Sequence, residues 1–243
     1  MLRLILLVLL NAMLVAGAVS VGAQTPSREL LYVARVNRNQ EIFLLDVHTR
    51  LTYNLTQNSG DDTRPVWSPD GSMIAFESWR DGARAVYVMD ADGRNLRRLS
   101  ADNGASEYAP EWLPDSKSLV FRSIYRPFGG QPTVLTFRVN ADGSNLERIP
   151  DIPSQPIQQS LSQRWVGGKW GIYLTRDDIT QKLADIKEVY PETPEWSPDE
   201  TLIAFLAESQ FKRTEIYVMN SDGSELRQLT FDGAAKTNLN WRP

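Results

Sequence analysis

PVWSPDGSMIAF, residues 65–76, recurs 129 residues later as PEWSPDETLIAF, residues 194–205, and eight of the twelve positions are identical. In the first copy Pro69 presets φ for a turn. Asp70 and Gly71 then supply a turn carboxylate and a residue that tolerates positive φ. Short runs rich in β-branched, aromatic and other apolar residues flank this turn. The segment therefore predicts a β-hairpin.

Further tryptophans mark the same repeat along the chain. Trp112 begins WLPDSKSLVF, Trp165 begins WVGGKWGIYL, and Trp241 begins the final WRP. Counted from Trp67, the tryptophans are spaced by 45, 53, 31 and 45 residues. A second segment follows, with copies AVYVMDADGRNLRRLS (85–100), TFRVNADGSNLERIP (136–150), EIYVMNSDGSELRQLT (215–230) and the N-terminal EIFLLDVHTRLTYNLT (41–56). A period of about 45 residues indicates a repeat protein.

Each repeat predicts two hairpins, because the second segment also alternates on either side of a tight tip such as Asp92–Gly93. Two hairpins make a four-stranded antiparallel unit, which is the size of one propeller blade. Residues 24–243 divide into five units of about 44 residues. We therefore predict an all-β protein, a five-bladed β-propeller of four-stranded antiparallel blades.

The two ends of the repeat region are complementary. Residues 29–35 resemble the strand that follows the tryptophan-containing strand in other repeats, but no tryptophan-containing strand precedes them. Residues 237–243 resemble a tryptophan-containing strand, but no further strand follows them. We expect these N- and C-terminal segments to pair and close the ring, since closure removes exposed sheet edges. The weakest unit is the fourth, where residues 179–190 are also compatible with a short helix. The expected blades are 29–56 plus 237–243, 61–100, 107–149, 160–187 and 192–230.

The repeat sequences resemble the TolB-like, WD40-like β-propeller repeats. The residues that carry the resemblance are RPVWSPDGSMIAFESWRDGARAVYVMDADGRNLRRLS (64–100), PEWSPDETLIAFLAES (194–209) and EIYVMNSDGSELRQLT (215–230). Repeats of this kind form the C-terminal domain of TolB and the propellers of prolyl-oligopeptidase-type peptidases. The resemblance implies a propeller and, through TolB, an envelope-associated role. It does not imply one activity, because propellers host unrelated functions.

The N-terminal residues 1–23 have the pattern of an export signal, with one early arginine, an apolar run and then small residues. Val21 and Ala23 fit the −3 and −1 positions of a signal-peptidase site, which would make Gln24 the new N-terminus. We expect a cleaved signal peptide and a periplasmic or secreted domain over 24–243. The alternative is an uncleaved membrane anchor, because Leu4 to Ala23 is about long enough to span a bilayer.

Charge and cysteine content limit the class of partner. The formal net charge is −4 and there is no cysteine. An acidic chain without a concentrated basic patch does not favour nucleic acid. The lack of cysteine rules out disulfides and thiolate metal ligands, and it suits an extracytoplasmic bacterial setting.

Motifs for catalysis and for cofactors are missing from the sequence. The single histidine, His48, falls at a turn position that Asp92 and Asp222 occupy in other repeats. No G-x-S-x-G, P-loop or dinucleotide glycine motif occurs. The tips DADG, NADG and NSDG resemble fragments of calcium loops, but turn geometry explains them and a calcium loop needs more oxygen ligands. We predict no catalytic residue, no metal and no cofactor.

Three acidic residues support an alternative. Asp62, Glu107 and Glu192 lie five or four residues before a repeat tryptophan, where they would approach the central mouth. Paired carboxylates are the apparatus of glycoside hydrolysis, and some five-bladed propellers use them at the mouth. A carbohydrate-active enzyme is therefore the alternative function.

The loops point to one surface. In an up-and-down blade, the first-to-second and third-to-fourth turns share one face, here called the tip face. The second-to-third loops and the inter-blade linkers share the opposite face, here called the loop face. The loop-face segments are longer and richer in aromatic and charged residues, and function commonly sits on such loops. We predict a partner-binding surface there, formed by Trp79, Arg80, Tyr125, Arg126, Phe128, Phe211 and Lys212. The predicted function is a monomeric, exported, non-catalytic scaffold for a protein or cell-envelope ligand.

Overall fold

The computed structural model describes residues 28–100, 105–126, 130–150, 159–176, 179–186, 190–208 and 213–243, and these ranges contain nineteen strands. In chain order they are β1 (Glu29–Val36), β2 (Asn39–Asp46), β3 (Thr52–Asn54), β4 (Asp62–Trp67), β5 (Met73–Ser78), β6 (Ala85–Asp90), β7 (Arg97–Arg98), β8 (Ser106–Trp112), β9 (Ser118–Tyr125), β10 (Thr133–Asn140), β11 (Glu147–Ile149), β12 (Gln159–Val166), β13 (Lys169–Arg176), β14 (Ile179–Ile186), β15 (Tyr190–Trp196), β16 (Leu202–Glu208), β17 (Thr214–Asn220), β18 (Arg227–Gln228) and β19 (Lys236–Trp241).

The strands form five antiparallel sheets, and the all-β prediction is confirmed. The first sheet has the order β19-β1-β2-β3, and the second, third and fifth are β4-β5-β6-β7, β8-β9-β10-β11 and β15-β16-β17-β18. The fourth sheet has three strands, β12-β13-β14. Residues 179–186, for which a short helix was the alternative, form strand β14.

The first sheet contains both ends of the described chain. β19 pairs antiparallel with β1, with Leu30 opposite Trp241 and Ala34 opposite Lys236. The backbone N–H of Arg242 continues this pairing by donating to the carbonyl of Glu29 at 2.9 Å. The C-terminal strand thus takes the edge position beside β1 and is the first strand of this sheet.

The tip-face turns have the geometry that their sequences predict. Gly71 has φ of 68°, and its N–H donates to the carbonyl of Ser68 at 2.8 Å. The hydroxyl oxygen of Ser68 accepts the N–H of Met73 at 2.9 Å and donates to Asp70 at 2.6 Å. These bonds use the polar groups of the turn internally, and the predicted hairpin is confirmed.

Four clusters of buried side chains join neighbouring sheets, and each includes or packs against the tryptophan of the first strand of a sheet. Trp67 belongs to the cluster between the first and second sheets, and Trp112 to the one between the second and third. Trp196 packs between the fourth and fifth sheets, and Trp241 between the fifth and first. Among the described residues no such cluster joins the third sheet to the fourth.

Two equivalent glycines identify which strand the fourth sheet lacks. Gly93, in the turn between the third and fourth strands of the second sheet, has φ of 84°, and a Cβ there would lie 3.2 Å from the carbonyl oxygen of Leu55. Leu55 directly follows the fourth strand of the first sheet. Gly223 occupies the same turn of the fifth sheet, and a Cβ there would collide with the carbonyl oxygen of Leu183 in β14. β14 therefore stands in the fourth-strand position of its sheet and β12 in the second.

The first-strand position of the fourth sheet is thus without a strand among the described residues, and the prediction for Trp165 was wrong. Trp165 was expected to end a first strand, but it lies in β12, which the contacts of the two glycines put in the second-strand position. It belongs to a second strand. This explains the short spacing of 31 residues to Trp196, which is counted between non-equivalent strands.

Candidate functional site

The aspartates of the tip-face turns accept hydrogen bonds from serines within the same turns. Asp142 accepts the N–H of Ser144 at 2.9 Å and its hydroxyl at 2.6 Å, and Asp222 accepts the same two bonds from Ser224. The Ser144 and Ser224 bonds hold the pKa of each carboxyl below its usual range. Across the described ranges, no three His, Cys, Asp or Glu side chains lie close enough together to hold a metal ion. Turn geometry therefore accounts for the aspartates that resemble calcium-loop fragments.

The structure brings Asp62 and Arg80 together. Nη2 of Arg80 lies 3.0 Å from Oδ1 of Asp62, whose side chain is wholly buried. The Arg80 guanidinium also stacks over the rings of Phe76 and Tyr87, at 5.3 and 4.8 Å from their centroids. A buried charge needs such a partner, because an unpaired one is strongly penalised. Asp62 is therefore not open to solvent at the mouth, and Arg80 is held within the fold.

Glu107 and Glu192 are the other two acids expected at the central mouth, and only the side chain of Glu107 is described. Glu107 is 3% exposed, and its backbone N–H donates to the carbonyl of Arg84 at 2.9 Å. Glu192 lies in β15 opposite Leu206, and its side chain is outside the described part of the structure. Neither of the two described side chains, Asp62 and Glu107, is accessible.

A buried glutamate that the sequence did not single out joins the second and third sheets. Glu77 is 1% exposed, and it accepts the backbone N–H of Ala109 at 2.9 Å. Its carboxylate also lies 3.5 Å from Arg84 and 3.6 Å from Arg64. The equivalent positions in other sheets carry different residue types, such as Val33. No repeat signal therefore marks Glu77.

Arg84, an ion-pair partner of Glu77, also contacts two aromatic rings on the loop face, those of Tyr108 and Trp79. Its guanidinium lies 4.7 Å from the ring centroid of Tyr108 and 5.6 Å from that of Trp79. Trp79 is 37% exposed. Since Arg84 is fixed by Glu77 and by the hydroxyl of Ser106 at 3.2 Å, Trp79 is presented on a rigid support.

The remaining residues predicted for the loop face divide into two groups. Tyr125 is 56% exposed at the end of β9, and Arg126 is exposed directly after it. Phe128, Phe211 and Lys212 lie outside the described residues. Trp79, Tyr125 and Arg126 are therefore the members that the structure places at the surface.

The linkers that follow the first and fifth sheets are held by equivalent glutamates. Oε2 of Glu41 accepts the Thr56 hydroxyl at 2.9 Å, and Oε2 of Glu215 accepts the Thr230 hydroxyl at 2.6 Å. Oε1 of Glu215 also accepts the N–H of Gly233 at 2.8 Å. Burial raises the pKa of Glu41. These bonds stabilise the loop-face linkers.

Comparisons with known proteins support one family. The model of the TolB beta propeller domain matches residues 20–188. The Tol-Pal system protein TolB of Desulfotalea psychrophila is 22% identical over 94 residues, which are 39% of this chain and 22% of that protein. Dipeptidyl-peptidase 5 of Aspergillus fumigatus is 23% identical over 203 residues, 75% of this chain and 27% of that protein. The matched segments thus span about a quarter of the length of each of these two relatives.

Among solved structures, TolB from Acinetobacter baumannii is similar to this chain with a TM-score of 0.48 and 15% identity. The similarity covers 89% of this chain and 67% of that one.

Within the described ranges no helix is long and apolar enough to cross a membrane.

Proposed function

Because the chain belongs to the TolB β-propeller family, we propose that its five sheets are the blades of one ring that works as a binding scaffold. In this proposal β19 closes the first blade, and the loop face binds a protein or a cell-envelope ligand. The protein acts outside the cytoplasm, after export directed by residues 1–23, and it carries out no chemistry of its own.

The contrast between buried acids and exposed aromatic residues on the loop face carries this proposal. Asp62 and Glu107 are 0% and 3% exposed, whereas Trp79 and Tyr125 are 37% and 56% exposed. Aromatic side chains on a rigid support are the residues that most often dominate binding energy. Acids that are buried and engaged in the fold are poorly placed to act on a substrate.

The alternative, a carbohydrate-active enzyme, requires two carboxylates that flank a glycosidic bond. The ion pair between Asp62 and Arg80 opposes it. The Asp62→Ala, Glu107→Ala and Glu192→Ala triple variant, compared with the wild-type chain on a panel of glycosides, tests this alternative. Wild-type hydrolysis that the triple variant loses, with folding retained, would replace the scaffold proposal.

Similarity to a dipeptidyl-peptidase raises a second enzymatic alternative. The sequence has no G-x-S-x-G nucleophile elbow, and the similarity covers 27% of that relative's length. We therefore favour the scaffold role over hydrolysis of peptides.

Affinity capture from envelope extract with the tagged, exported chain tests the proposal directly. We expect specific retention of a protein or envelope component that Trp79→Ala and Tyr125→Ala weaken. Mass spectrometry of the exported chain tests the location as well, because cleavage after Ala23 would leave Gln24 as the first residue. A chain found only in the cytoplasm would contradict the proposed location.

A further inference from the structure

We propose that Arg64 and Arg84, together with the rings of Trp79 and Tyr108, form a receptor for the carboxylate of an aspartate or glutamate side chain on a protein partner. This inference rests on the proposed function, because the four residues lie on the loop face, and it names the chemistry that the face recognises. Three features support it: an excess of positive charge, guanidinium donors that the fold leaves unused, and an aromatic surface beside them.

The receptor lies where the second and third sheets meet, at the loop-face ends of their strands. Arg64 is the third residue of β4, Glu77 is next to last in β5, and Tyr108 is the third residue of β8. Trp79 and Arg84 belong to the segment that joins β5 to β6. Because β4 and β8 begin at the loop face and β5 ends there, these residues converge on one part of it.

Two guanidinium groups share a single carboxylate at this junction. Nε of Arg64 lies 3.6 Å from Oε1 of Glu77, and Nη1 of Arg84 lies 3.5 Å from Oε2 of the same side chain. Oε1 of Glu77 also accepts the backbone N–H of Ala109 at 2.9 Å. Two positive groups and one negative group leave a charge of +1 on these three side chains. The group is therefore one carboxylate short of neutrality.

The acids of the neighbouring segments are buried or paired within the fold. Asp62 pairs with Arg80, and Asp81 lies 3.7 Å from Arg98 and accepts a tyrosine hydroxyl. Glu107 is buried, so that its carboxylate does not face a ligand. A carboxylate from a partner would balance the charge that these acids leave uncompensated at the surface.

Most donor groups of the two arginines are unused. The Arg64 side chain is 61% exposed and faces Glu77 through Nε, and among the described residues its two terminal nitrogens have no hydrogen-bond partner. Arg84 donates from Nε to the hydroxyl of Ser106 at 3.2 Å and from Nη1 to Glu77. A guanidinium has five N–H donors in a planar fork that matches the two oxygens of a carboxylate. Long contacts at an exposed side chain contribute little, so that Arg64 can turn its fork to a ligand.

The backbone at Arg64 places an arginine where two other sheets have short side chains. Register shifts mark a bulge in the first strands of the first, second and third sheets. The bulged residue has positive φ in each, with 51° at Arg64, 52° at Ala109 and 55° at Asn238. Asparagine tolerates this region of φ, and a long side chain there is uncommon. The bulge therefore belongs to the repeat, whereas the arginine is specific to the second sheet.

Aromatic rings hold the second guanidinium and border it with apolar surface. Arg84 lies 4.7 Å from the ring centroid of Tyr108 and 5.6 Å from that of Trp79. Stacking on ring faces fixes the plane of a guanidinium without using its N–H donors. Because Trp79 is partly exposed, it offers contact area to a residue beside the ligand acid. An acidic residue next to an aromatic residue in the partner fits this surface.

The charge of the receptor favours a carboxylate over a phosphate group. One carboxylate brings the charge of +1 on the three side chains to zero. A phosphate dianion would leave a net negative charge beside the buried carboxylate of Glu77, and like charges held close together repel.

Fluorescence anisotropy with short peptides tests the proposal on the full exported chain. The probe peptide has a zwitterionic rhodamine label, an amidated C-terminus and one glutamate next to a phenylalanine. We expect saturable binding, and about tenfold weaker binding when glutamine replaces the glutamate, because only the charge of that side chain is lost. A phosphoserine in place of the glutamate should bind no more tightly than the glutamate does.

Arg64→Gln separates a receptor from a purely structural ion pair. Its side chain is exposed, so folding should be retained, and the melting temperature checks this. Binding of the glutamate peptide should fall about tenfold, whereas the glutamine peptide should bind the variant and the wild-type chain alike. Arg84→Gln should act in the same way in a folded variant. Arg94→Gln, at an exposed side chain on the tip face, is the matched control and should leave the binding of both peptides unchanged.

Three results would overturn the proposal: no binding of the glutamate peptide, equal binding of the glutamine peptide, or an affinity that Arg64→Gln leaves unchanged. Tighter binding of the phosphoserine peptide, or of a peptide whose only acid is a free C-terminus, would also overturn it. The scaffold role fails separately, because it depends on capture of a partner that Trp79→Ala weakens. Peptide binding that requires Arg64, without a captured partner, would support the receptor alone, and the reverse result would support the scaffold role alone.

Discussion

Nζ of Lys236 lies 3.0 Å from Oε2 of Glu215, and neither side chain is more than 4% exposed. Lys236 begins the C-terminal strand β19, whereas Glu215 lies near the start of β17 in the fifth sheet. The ammonium group is further held by Asp232 and by the carbonyl of Ala234 at 3.1 Å. This ion pair therefore fastens the strand that completes the first sheet to the sheet before it.

Lys236→Met should lower the free energy of unfolding by about 3 kcal/mol, because it leaves a buried carboxylate without its cation. Urea denaturation measures the change. The double variant Lys236→Met, Glu215→Gln should lose less free energy of unfolding than Lys236→Met alone, because the uncompensated charge of Glu215 is removed. Arg94→Met, at a side chain 83% exposed, is the control and should be silent. An unchanged midpoint for Lys236→Met would show that the pair does not hold β19.

Deletion of Thr237–Pro243 should lower stability by several kcal/mol, which is a large part of the stability of a typical domain. The deletion removes the ladder to β1 and exposes an inner sheet edge. Thermal denaturation of the two chains at equal concentration measures the effect. Identical melting temperatures would mean that the pairing of the terminal segments contributes nothing to the fold.

Gly223→Ala should destabilise the protein more than Gly143→Ala. Both glycines occupy the same turn of their sheets, with φ of 85° and 87°, so that both variants incur the left-handed backbone penalty of about 1 kcal/mol. A Cβ at Gly143 meets nothing within 4 Å, whereas one at Gly223 collides with Leu183. The difference between the two unfolding free energies isolates that contact. Equal losses would contradict the placement of β14 against this turn.

Glu195 should make stability depend on pH near neutrality. Burial raises its pKa to about 7, from a value of 4.5 for the free side chain. The folded state therefore binds the proton more tightly than the unfolded chain does. Its contribution is fully favourable below pH 4.5, and stability falls as the pH rises from there to 7.

Glu195→Gln should remove this dependence. At pH 8 the variant should be more stable than the wild-type chain by roughly 3 kcal/mol, from the size of the pKa difference. At pH 4 the two should be alike. Urea denaturation at both pH values checks this, with Glu225→Gln at an exposed tip as the control. A stability difference between the two chains that does not change from pH 4 to pH 8 would refute the buried Glu195 carboxyl as the cause of the pH dependence.

The sequence predicted the sheets well wherever a turn motif and a tryptophan occurred together. The segment around Asp70 and Gly71 contains both the turn chemistry and the flanking strands, so that local residues suffice. Pairing of the terminal segments was also predictable, because each end lacks the strand that the other supplies. Trp165 misled the prediction, because tryptophan alone does not distinguish a first strand from a second strand.

The candidate binding surface was less predictable from sequence than the fold. Loop length and aromatic content indicated Trp79 and Tyr125, and both are exposed. The partner of Asp62 was not foreseeable, because Arg80 lies in a different loop segment and reaches Asp62 only when the sheet folds. The spacing of Asp62, Glu107 and Glu192 before a tryptophan identified these acids in the sequence. Their burial could not be predicted in this way, because it arises only when the sheets assemble. Glu77 was missed for the same reason, since its partners come from the third sheet, from β4 and from Arg84 in the loop before β6.

Binding of the strongest captured partner to two sets of variants tests the central claim, that the loop face is the binding surface. The loop-face set is Trp79→Ala, Tyr125→Ala, Phe128→Ala and Phe211→Ala, and the tip-face set is Arg94→Ala and Ser224→Ala. Each variant is first checked for folding by its circular dichroism spectrum and melting temperature, and isothermal titration then gives the affinity.

Loss of a buried aromatic anchor should reduce affinity by about 2 kcal/mol or more. We expect losses of that size in the loop-face set and none in the tip-face set. Loss of binding in the tip-face set, with the loop-face set unaffected, would contradict the claim.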